Sequence, residues 1–321
     1  MRTDKPIFYI AMQIGDSNIV ELEIELDRLN TLIKNEPEDK KLYFSRGTIK
    51  MKMSDFQGAI TDFIRVIELD PNAPFVYLYK GYAKMFCGNI IGSIDDYDKA
   101  TGLDQRYVEA WYSKGTAKSQ LGRDWDAIWD YTCALEINPL HEGSLINRGL
   151  AKSEIGDQRG AILDFDKALK VNPGRTFIYI NRGLAKFRSG NYKGAIADYK
   201  SSIAIDPGYA GVYVNMAYAL FELGEFAEAI EANDKALEID PVYAEALYSN
   251  GVIKCQLTDY DNGIKDFDAV IKLEPDFAWA YLGRGMAESL LGDHEAGYDD
   301  IKKAGEMGLQ EAIDILNAAL N

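Results

Sequence analysis

Charged side chains recur at a 34-residue spacing along this 321-residue chain, and a ladder of cations is one way to bind phosphate. The first set is basic, the second is lysine four residues later, and the third is aspartate twelve residues after that. The basic set is Arg46, Lys80, Lys114, Arg148, Arg182 and Arg284. The lysine set is Lys50, Lys84, Lys118, Lys152, Lys186 and Lys254. The aspartate set is Asp62, Asp96, Asp130, Asp164, Asp198, Asp266 and Asp300.

One stretch of the chain decides between phosphate binding and internal pairing of these charges. In residues 210–243 the three sets change together, to Met216, Leu220 and Ala232. Joint loss is expected if the charges pair with one another, because removing one partner leaves the other partly buried and unpaired. The pattern therefore favours structural ion pairs within a helical hairpin.

The other residues that could take part in catalysis or metal binding do not form a catalytic pattern. His141 and His294 lie far apart and lack ligand-spaced partners, so no metal site and no cofactor is predicted. No phosphate loop or nucleophile elbow occurs, and an enzyme is not expected. Cys87, Cys133 and Cys255 are too scattered for a disulfide framework, which fits a reducing compartment.

The elements that position these side chains follow from proline and glycine. Proline recurs every 34 residues, with Gln105 in the one interior gap, and glycine recurs near the middle of most intervals. Glycine ends one helix and proline stops the next, so each interval predicts helix, tight turn, helix and short turn. The prolines are Pro37, Pro71, Pro139, Pro173, Pro207, Pro241 and Pro275.

Small and aromatic residues also keep a fixed place within each interval. The eighth position is glycine in seven of the eight intervals and Ala217 in the other, and the twentieth is Ala, Ser or Gly. The fourth and twenty-fourth positions are large and mostly aromatic. Tiny side chains are needed where two helices cross closely, so the two helices of each interval should pack as a tight pair.

These positions resemble the tetratricopeptide repeat (TPR) family over about residues 40–309. The resemblance implies an all-α fold, a right-handed α-solenoid superhelix of tandem helix-turn-helix repeats. Repeats 1 to 8 are then residues 40–73, 74–107, 108–141, 142–175, 176–209, 210–243, 244–277 and 278–311.

The two ends of the array should be capped. Residues 1–39 share the phase of the repeats, but Gln13 and Glu25 stand where glycine and alanine belong, so a degenerate repeat with a capping helix over 18–35 is expected. Residues 310–321 are amphipathic through Ile313, Leu316 and Leu320 and predict a C-terminal capping helix.

The resemblance implies that the first helices line a concave groove, with positions 2, 5, 6, 9, 12 and 13 facing a ligand. Asn147, Asn181 and Asn215 share the sixth position. A row of amides can hold an extended peptide backbone, because each donates and accepts one hydrogen bond. The alternative, that each amide bonds its own helix surface, is equally compatible with the sequence.

Aromatic side chains around these asparagines complete the predicted groove. They are Tyr79, Tyr82, Phe86, Tyr112, Phe177, Phe187, Tyr218, Phe221 and Tyr248. An apolar groove usually marks an interaction site, although the N-terminal segment or a second copy of the chain would also cover it. Trp125 and Trp129 lie four apart on a second helix, where a second contact patch or local packing against the turn is expected.

Composition limits the partners. The net charge of −16 disfavours nucleic acid, and no stretch has the length for membrane insertion. The apolar run 7–14 lacks a cleavage site, so a cytoplasmic location is expected. Co-chaperone TPR proteins hold a C-terminal carboxylate with lysine at the fifth and asparagine at the ninth position. Here those positions hold residues such as Phe44 and Thr48, so the tails of Hsp70 and Hsp90 are not expected ligands.

The sequence thus predicts a non-enzymatic adaptor or scaffold that binds a protein or extended peptide in its groove. The alternative is a self-assembling structural protein, a homo-oligomer whose groove is filled by its own N-terminal segment or by another copy.

Overall fold

In this computed structural model, residues 19–319 are described, with side chains as far as residue 318. They form two compact units, residues 19–173 and residues 174–319. Helices account for 81% of the described residues, and no strand occurs among them. The predicted all-α class is confirmed. The expectations that rest on Gln13, on the run 7–14 and on Leu320 lie outside the described residues.

Within each unit, consecutive helices pack against one another in chain order. The first unit contains α1 (Ile19–Asn35), α2 (Lys40–Lys52), α3 (Phe56–Leu69), α4 (Pro74–Phe86), α5 (Ile90–Leu103), α6 (Val108–Gln120), α7 (Asp124–Ile137), α8 (Glu142–Glu154) and α9 (Gln158–Val171). The second contains α10 (Thr176–Arg188), α11 (Tyr192–Ile205), α12 (Ala210–Glu222), α13 (Phe226–Ile239), α14 (Ala244–Gln256), α15 (Tyr260–Leu273), α16 (Ala278–Leu291), α17 (His294–Glu306) and α18 (Gln310–Ala319).

In each hairpin, a residue with a left-handed backbone conformation follows the first helix. Gly88 has φ +78°, and the equivalent residues of repeats 1 and 7, Ser54 and Thr258, adopt φ of +62° and +64° without being glycine. One residue later, in five of the eight hairpins, an Asp or Asn such as Asn89 caps the second helix by accepting a hydrogen bond from the backbone N–H three residues on. The turn geometry is therefore kept even in the two hairpins where Ser or Thr replaces the glycine.

A buried aromatic ring against a glycine forms the centre of most hairpins. A Cβ placed on Gly81 would lie 2.4 Å from Cε1 of Tyr97, and one on Gly183 would lie 2.6 Å from Cε1 of Tyr199. Both rings are fully buried. The eighth position is glycine because the aromatic ring at position 24 occupies the space of its side chain.

Repeat 6 shows what allows an exception to this rule. Ala217 replaces the glycine there, and position 24 holds Asn233 in place of an aromatic residue. Asn233 is fully buried, and its amide donates hydrogen bonds to Ser249 Oγ at 2.8 Å and Asn250 Oδ1 at 2.9 Å. The smaller side chain leaves room for the alanine methyl group, and the next repeat accepts the two hydrogen bonds that the amide nitrogen of Asn233 donates.

The aspartate at position 23 is buried between two cations in most repeats, an arrangement we call the charge clamp. Asp164 lies 2.7 Å from Nη2 of Arg148 and 2.8 Å from Nζ of Lys152. Repeats 1, 2, 3 and 5 make the same pair of contacts. The predicted internal pairing of these charges is confirmed.

The cation at position 7 also reaches the second helix of the preceding repeat. Arg148 Nη1 donates to Thr132 Oγ1 at 3.0 Å, and Lys114 Nζ lies 3.0 Å from Asp98 Oδ1. Arg284 likewise contacts Asp268. The charge clamp therefore joins neighbouring repeats as well as the two helices of one hairpin, which the sequence did not reveal.

Repeats 6 and 7 depart from the charge clamp in a correlated way. Leu220 and Ala232 are buried in the apolar core and Met216 packs against it, so no charge is left there without a partner. Repeat 7 has Asn250 at position 7, and Asp266 therefore has a single cation, Lys254 at 2.6 Å. Burial raises the pKa of the Asp266 carboxyl in spite of that lysine.

The short turn between repeats is closed by the aromatic residue at position 4. The hydroxyl of Tyr77 donates to the carbonyl of Pro71 at 3.2 Å. Where Gln105 replaces proline, Trp111 Nε1 donates to the Gln105 carbonyl at 3.0 Å. The same backbone oxygen is thus satisfied with or without the proline.

Helices α1 and α18 lie at the two ends of the described chain. Leu29 and Ile33 are the buried residues of α1, which packs on α2. Ala312 of α18 is buried in a cluster with Ile301, and Leu316 packs against that cluster. None of the helices between residues 19 and 319 combines the length and apolar composition that a membrane crossing requires.

The ring-on-glycine contact predicts opposite outcomes for two Gly→Ala changes in one repeat. Gly81→Ala should lower the free energy of unfolding by about 1–3 kcal/mol, because the buried Tyr97 ring cannot yield. Gly102→Ala has no atom within 4 Å of the new methyl group and should be neutral or stabilising by up to about 1 kcal/mol. Urea denaturation followed by circular dichroism tests both, and equal effects would contradict the contact.

The charge clamp predicts that Asp164→Ala lowers the free energy of unfolding by about 1–3 kcal/mol, because two partly buried cations lose their anion. Asp95→Ala is the control, since Asp95 is exposed and its loss should change stability by less than about 0.5 kcal/mol. Denaturant midpoints of the two variants provide the comparison. Identical midpoints would show that Asp164 is merely solvated.

Candidate functional site

The first helices of successive repeats contact one another directly, α4 with α6 and α6 with α8 in the first unit, and α10 with α12, α12 with α14 and α14 with α16 in the second. Their positions 2, 5, 6, 9, 12 and 13 form what we call the first-helix face. Each unit carries one such face, and the two are described separately.

In the first unit, most of the predicted aromatic residues pack against one another. Tyr79 makes edge contacts with Phe44 and Tyr82, at ring-centroid distances of 5.1 and 5.9 Å. Tyr82 Oη accepts a hydrogen bond from Ser113 Oγ at 3.0 Å. Tyr112 is buried and contacts the His141 ring at 5.1 Å. These three tyrosines therefore act largely as packing residues.

Two phenylalanines of the first unit remain exposed on this face. Phe75 packs edge-on against Phe44 at 5.0 Å, and Phe86 stacks on Phe56 at 5.1 Å, yet each keeps a large exposed surface. Phe86 was predicted as a groove residue and is accessible to a partner.

The three asparagines do not present equivalent amides. Asn147 is only 4% exposed, and its amide lies 3.4 Å from Tyr112 Oη and 3.5 Å from Thr116 Oγ1. Asn181 is half-buried and donates to the carbonyl of Phe177 in its own helix at 2.8 Å. Asn215 is half-buried, and its side chain makes no hydrogen bond to another residue of the described chain.

In the second unit, the predicted aromatic residues are half-buried and supported from behind. Phe187 packs on Tyr192 at 5.3 Å, and Phe221 packs on Phe226 at 5.5 Å. Tyr248 lies 5.3 Å from the ring of Phe277. Each side chain is thus fixed at its base while one surface stays accessible.

The buried and half-buried tyrosines on these faces do not act as bases near neutral pH. Burial raises the pKa of Tyr218 to about 12 and also raises the pKa of Tyr82, Tyr112 and Tyr248. Their hydroxyls stay protonated, so they can donate hydrogen bonds but do not serve as bases. In the described chain, no group of three or more His, Cys, Asp and Glu side chains is placed to hold a metal ion.

The last repeat carries an exposed apolar stripe on its first helix. Trp279, Met286 and Leu290 are exposed on α16. They occupy positions 2, 9 and 13, which are spaced seven and four residues apart and share one side of a helix. The stripe can be found in the sequence, because positions 2, 9 and 13 all belong to the set expected to face a ligand.

Comparison with known proteins identifies the repeat class. Three family models described as tetratricopeptide repeat match residues 41–73, 146–210 and 186–250. Human tetratricopeptide repeat protein 16 is 37% identical over 49 residues, which are 15% of this chain and 6% of that protein. The match thus spans a small part of the curated relative.

Solved structures share the fold. A tetratricopeptide repeat protein from Parabacteroides merdae has a TM-score of 0.64 at 19% identity, covering 77% of this chain and 99% of its own. The C-terminal part of a TPR protein from Cytophaga hutchinsonii has a TM-score of 0.64 at 15% identity, covering 75% and 98%. YrrB, described as a TPR protein with an unusual peptide-binding site, has a TM-score of 0.50 at 20% identity, covering 56% and 92%.

This chain is therefore a tetratricopeptide repeat protein, an all-α solenoid of about eight tandem repeats. Solenoids of this kind present extended surfaces on which other proteins bind.

The different environments of the asparagines predict different effects of their removal. Asn147→Ala should lower the free energy of unfolding by about 0.5–1.5 kcal/mol, since Tyr112 and Thr116 lose a buried partner. Asn215→Ala should leave it within about 0.5 kcal/mol, because no internal bond is lost. Chemical denaturation measures both, and a larger loss for Asn215→Ala would contradict the assignment.

Proposed function

We propose that this protein is a non-enzymatic adaptor that binds a protein or peptide segment on the first-helix face of its C-terminal unit. The observation that carries the proposal is the stripe of Trp279, Met286 and Leu290, which remains exposed in the folded unit. A group of large apolar side chains exposed on one side of a helix commonly marks an interaction site. The half-buried aromatic residues of α10, α12 and α14 extend the same face.

The charge of this region defines the chemistry of the ligand. Residues 210–321 carry 7 basic and 22 acidic side chains, a net charge of −15. Glu222 and Glu245 lie at positions 13 and 2, on the first-helix face itself. A segment that combines apolar and basic side chains would satisfy both features, because opposite charges guide its approach and orientation.

The asparagines of this unit would bind the ligand's backbone. Asn215 has an uncommitted amide, and Asn181 uses one of its two N–H groups within its own helix. Both amides retain the capacity to pair with peptide groups. Asn147 is excluded from this role because it is buried. The similarity to YrrB supports a peptide as the kind of ligand.

In the first unit, Phe75 and Phe86 form a smaller exposed surface that serves as a secondary candidate. The charged residues of the first unit do not favour one kind of ligand, so the proposal rests on the C-terminal unit.

A random peptide library displayed on phage tests the proposal directly with the full chain. We expect enriched peptides to combine Lys or Arg with large apolar residues. Leu290→Glu should weaken their binding at least about tenfold, because a buried leucine contributes roughly 1.5–3 kcal/mol. Val242→Glu is the control, since Val242 is 62% exposed and Leu290 is 64% exposed, but Val242 lies in a turn off this face.

Two results would overturn the proposal. One is the absence of any enriched peptide under conditions where the protein is folded by circular dichroism. The other is equal binding of the enriched peptides to Leu290→Glu, Val242→Glu and the unmodified protein, which would move the binding surface elsewhere.

A further inference from the structure

Two features of the described chain lie away from the first-helix face. The first is the pair Trp125 and Trp129 on α7, which are 73% and 67% exposed, so each indole lies at the surface and not packed against the neighbouring turn. A second contact patch there stays a prediction, because no neighbouring group indicates what would cover it. The second feature is a group of carboxylates around Arg284 in the last hairpin, α16 and α17, which has the chemistry of a proton-binding site.

Position 11 of the last repeat holds an acid where the charge clamp of other repeats has a cation. This position is lysine in six repeats, Leu220 in repeat 6 and Glu288 in repeat 8. In repeat 4 the lysine, Lys152, lies 2.8 Å from the carboxylate of Asp164. Position 23 is still aspartate in repeat 8, as Asp300. Glu288 therefore brings a second carboxylate to the place where the aspartate of a complete clamp finds its second cation.

One guanidinium serves all the carboxylates of this cluster. Arg284 donates to Asp300 Oδ2 at 2.6 Å and to Asp300 Oδ1 at 2.9 Å, and it also pairs with Asp268 on α15. Its Nε lies 4.0 Å from Glu288 Oε1, which is beyond hydrogen-bonding distance. Three carboxylates thus share one cation, and negative charge is in excess when all three are ionised.

Glu288 is largely removed from water within this cluster. Its side chain is 19% exposed, and its Oε2 is buried without a hydrogen-bond partner in the part of the chain that the structure describes. The charged groups that face it are Arg284 on its own helix, Asp300 on α17, Asp293 at the N-cap of α17 and Asp268 on α15. Burial first and Asp300 next raise the pKa of the Glu288 carboxyl, and Arg284 offsets only part of this effect.

A proton on Glu288 relieves this arrangement. It removes one of the excess negative charges, and it turns a carboxylate that only accepts hydrogen bonds into a group that can also donate one. Two carboxylates that share a site resist joint ionisation, so one of them keeps its proton to a higher pH than usual. A complete charge clamp needs no such proton, because its lysine supplies the positive charge.

We propose that the last hairpin is a proton-dependent element, in which a proton bound at Glu288 holds α16 and α17 together and its release loosens them. Because the pKa of this carboxyl is raised in the folded hairpin, its stabilising contribution is complete below the ordinary glutamate pKa of about 4.3. The contribution is then lost as the pH rises through the higher pKa of the folded state. The hairpin lies near the end of the described array, where local opening costs least.

The proton also affects the surface that α16 carries. Trp279, Met286 and Leu290 lie on this helix, so the apolar stripe is best ordered under mildly acidic conditions. This consequence rests on the proposed function, whereas the proton-dependent hairpin does not.

Hydrogen exchange of the full chain, followed by mass spectrometry of peptides from α16 and α17, tests the proposal without any ligand. Glu288→Gln is compared with the unmodified protein at the same pH, so that the pH dependence of chemical exchange cancels. At about pH 7.5 we expect these peptides to exchange at least about threefold more slowly in the variant, and at about pH 4.5 the two rates should converge. Glu295→Gln is the control, because Glu295 is an exposed acid of α17 and its removal should give the same ratio at both pH values.

A second variant tests the role of the missing cation. Glu288→Lys should also slow exchange of these peptides at about pH 7.5, because it returns a second cation to Asp300. Exchange no slower than in the unmodified protein would contradict that role. A ratio for Glu288→Gln that is the same at both pH values, or faster exchange in that variant at the higher pH, would overturn the proposal. Either failure leaves the phage-display result for the apolar stripe standing, and a failed phage selection leaves the exchange result standing.

Discussion

The close approach of two helices, allowed by a missing side chain, underlies the rest of this structure. Where the ring of Tyr97 or Tyr199 lies over a glycine, the two helices of a hairpin sit near enough for a buried aspartate on one to reach the cations of the other. A larger residue at the eighth position would separate the helices and leave the carboxylate without its partners. The charge clamp thus depends on the close approach of the two helices that the glycine allows.

Substitutions in this array therefore come in groups rather than singly. In repeat 6 the loss of the ring at Asn233 accompanies Ala217, and the loss of the aspartate accompanies the loss of both cations. The neighbouring repeat differs as well, because its Ser249 and Asn250 accept hydrogen bonds from the amide nitrogen of Asn233. A repeat is best understood as a set of mutually dependent positions that extends one hairpin further along the chain.

The parts of the structure that repeat were the parts that the sequence predicted well. Helix limits, turns and the internal pairing of charges recur at one spacing, so each instance supports the others. Features that occur in one repeat only were harder to predict, because they depend on neighbouring residues that do not recur. Asn147 shares its position with Asn215, yet it is buried because Tyr112 and Thr116 of the preceding repeat surround its amide. Likewise, Arg148 contacts Thr132 at a position that holds Asp in four of the eight repeats and Ile, Thr or Lys in the others.

The symmetry of the charge clamp has a consequence for how such a chain grows. Arg148 contacts Asp164 sixteen residues ahead and Thr132 sixteen residues behind, and Arg46 does the same with Asp62 and Asn30. An insertion or deletion of arbitrary length breaks one of these contacts, whereas tandem duplication of a whole 34-residue unit reproduces both. Among the repeats that carry the charge clamp, the gene can lengthen or shorten in steps of one complete unit while the contacts of the clamp are kept at each junction.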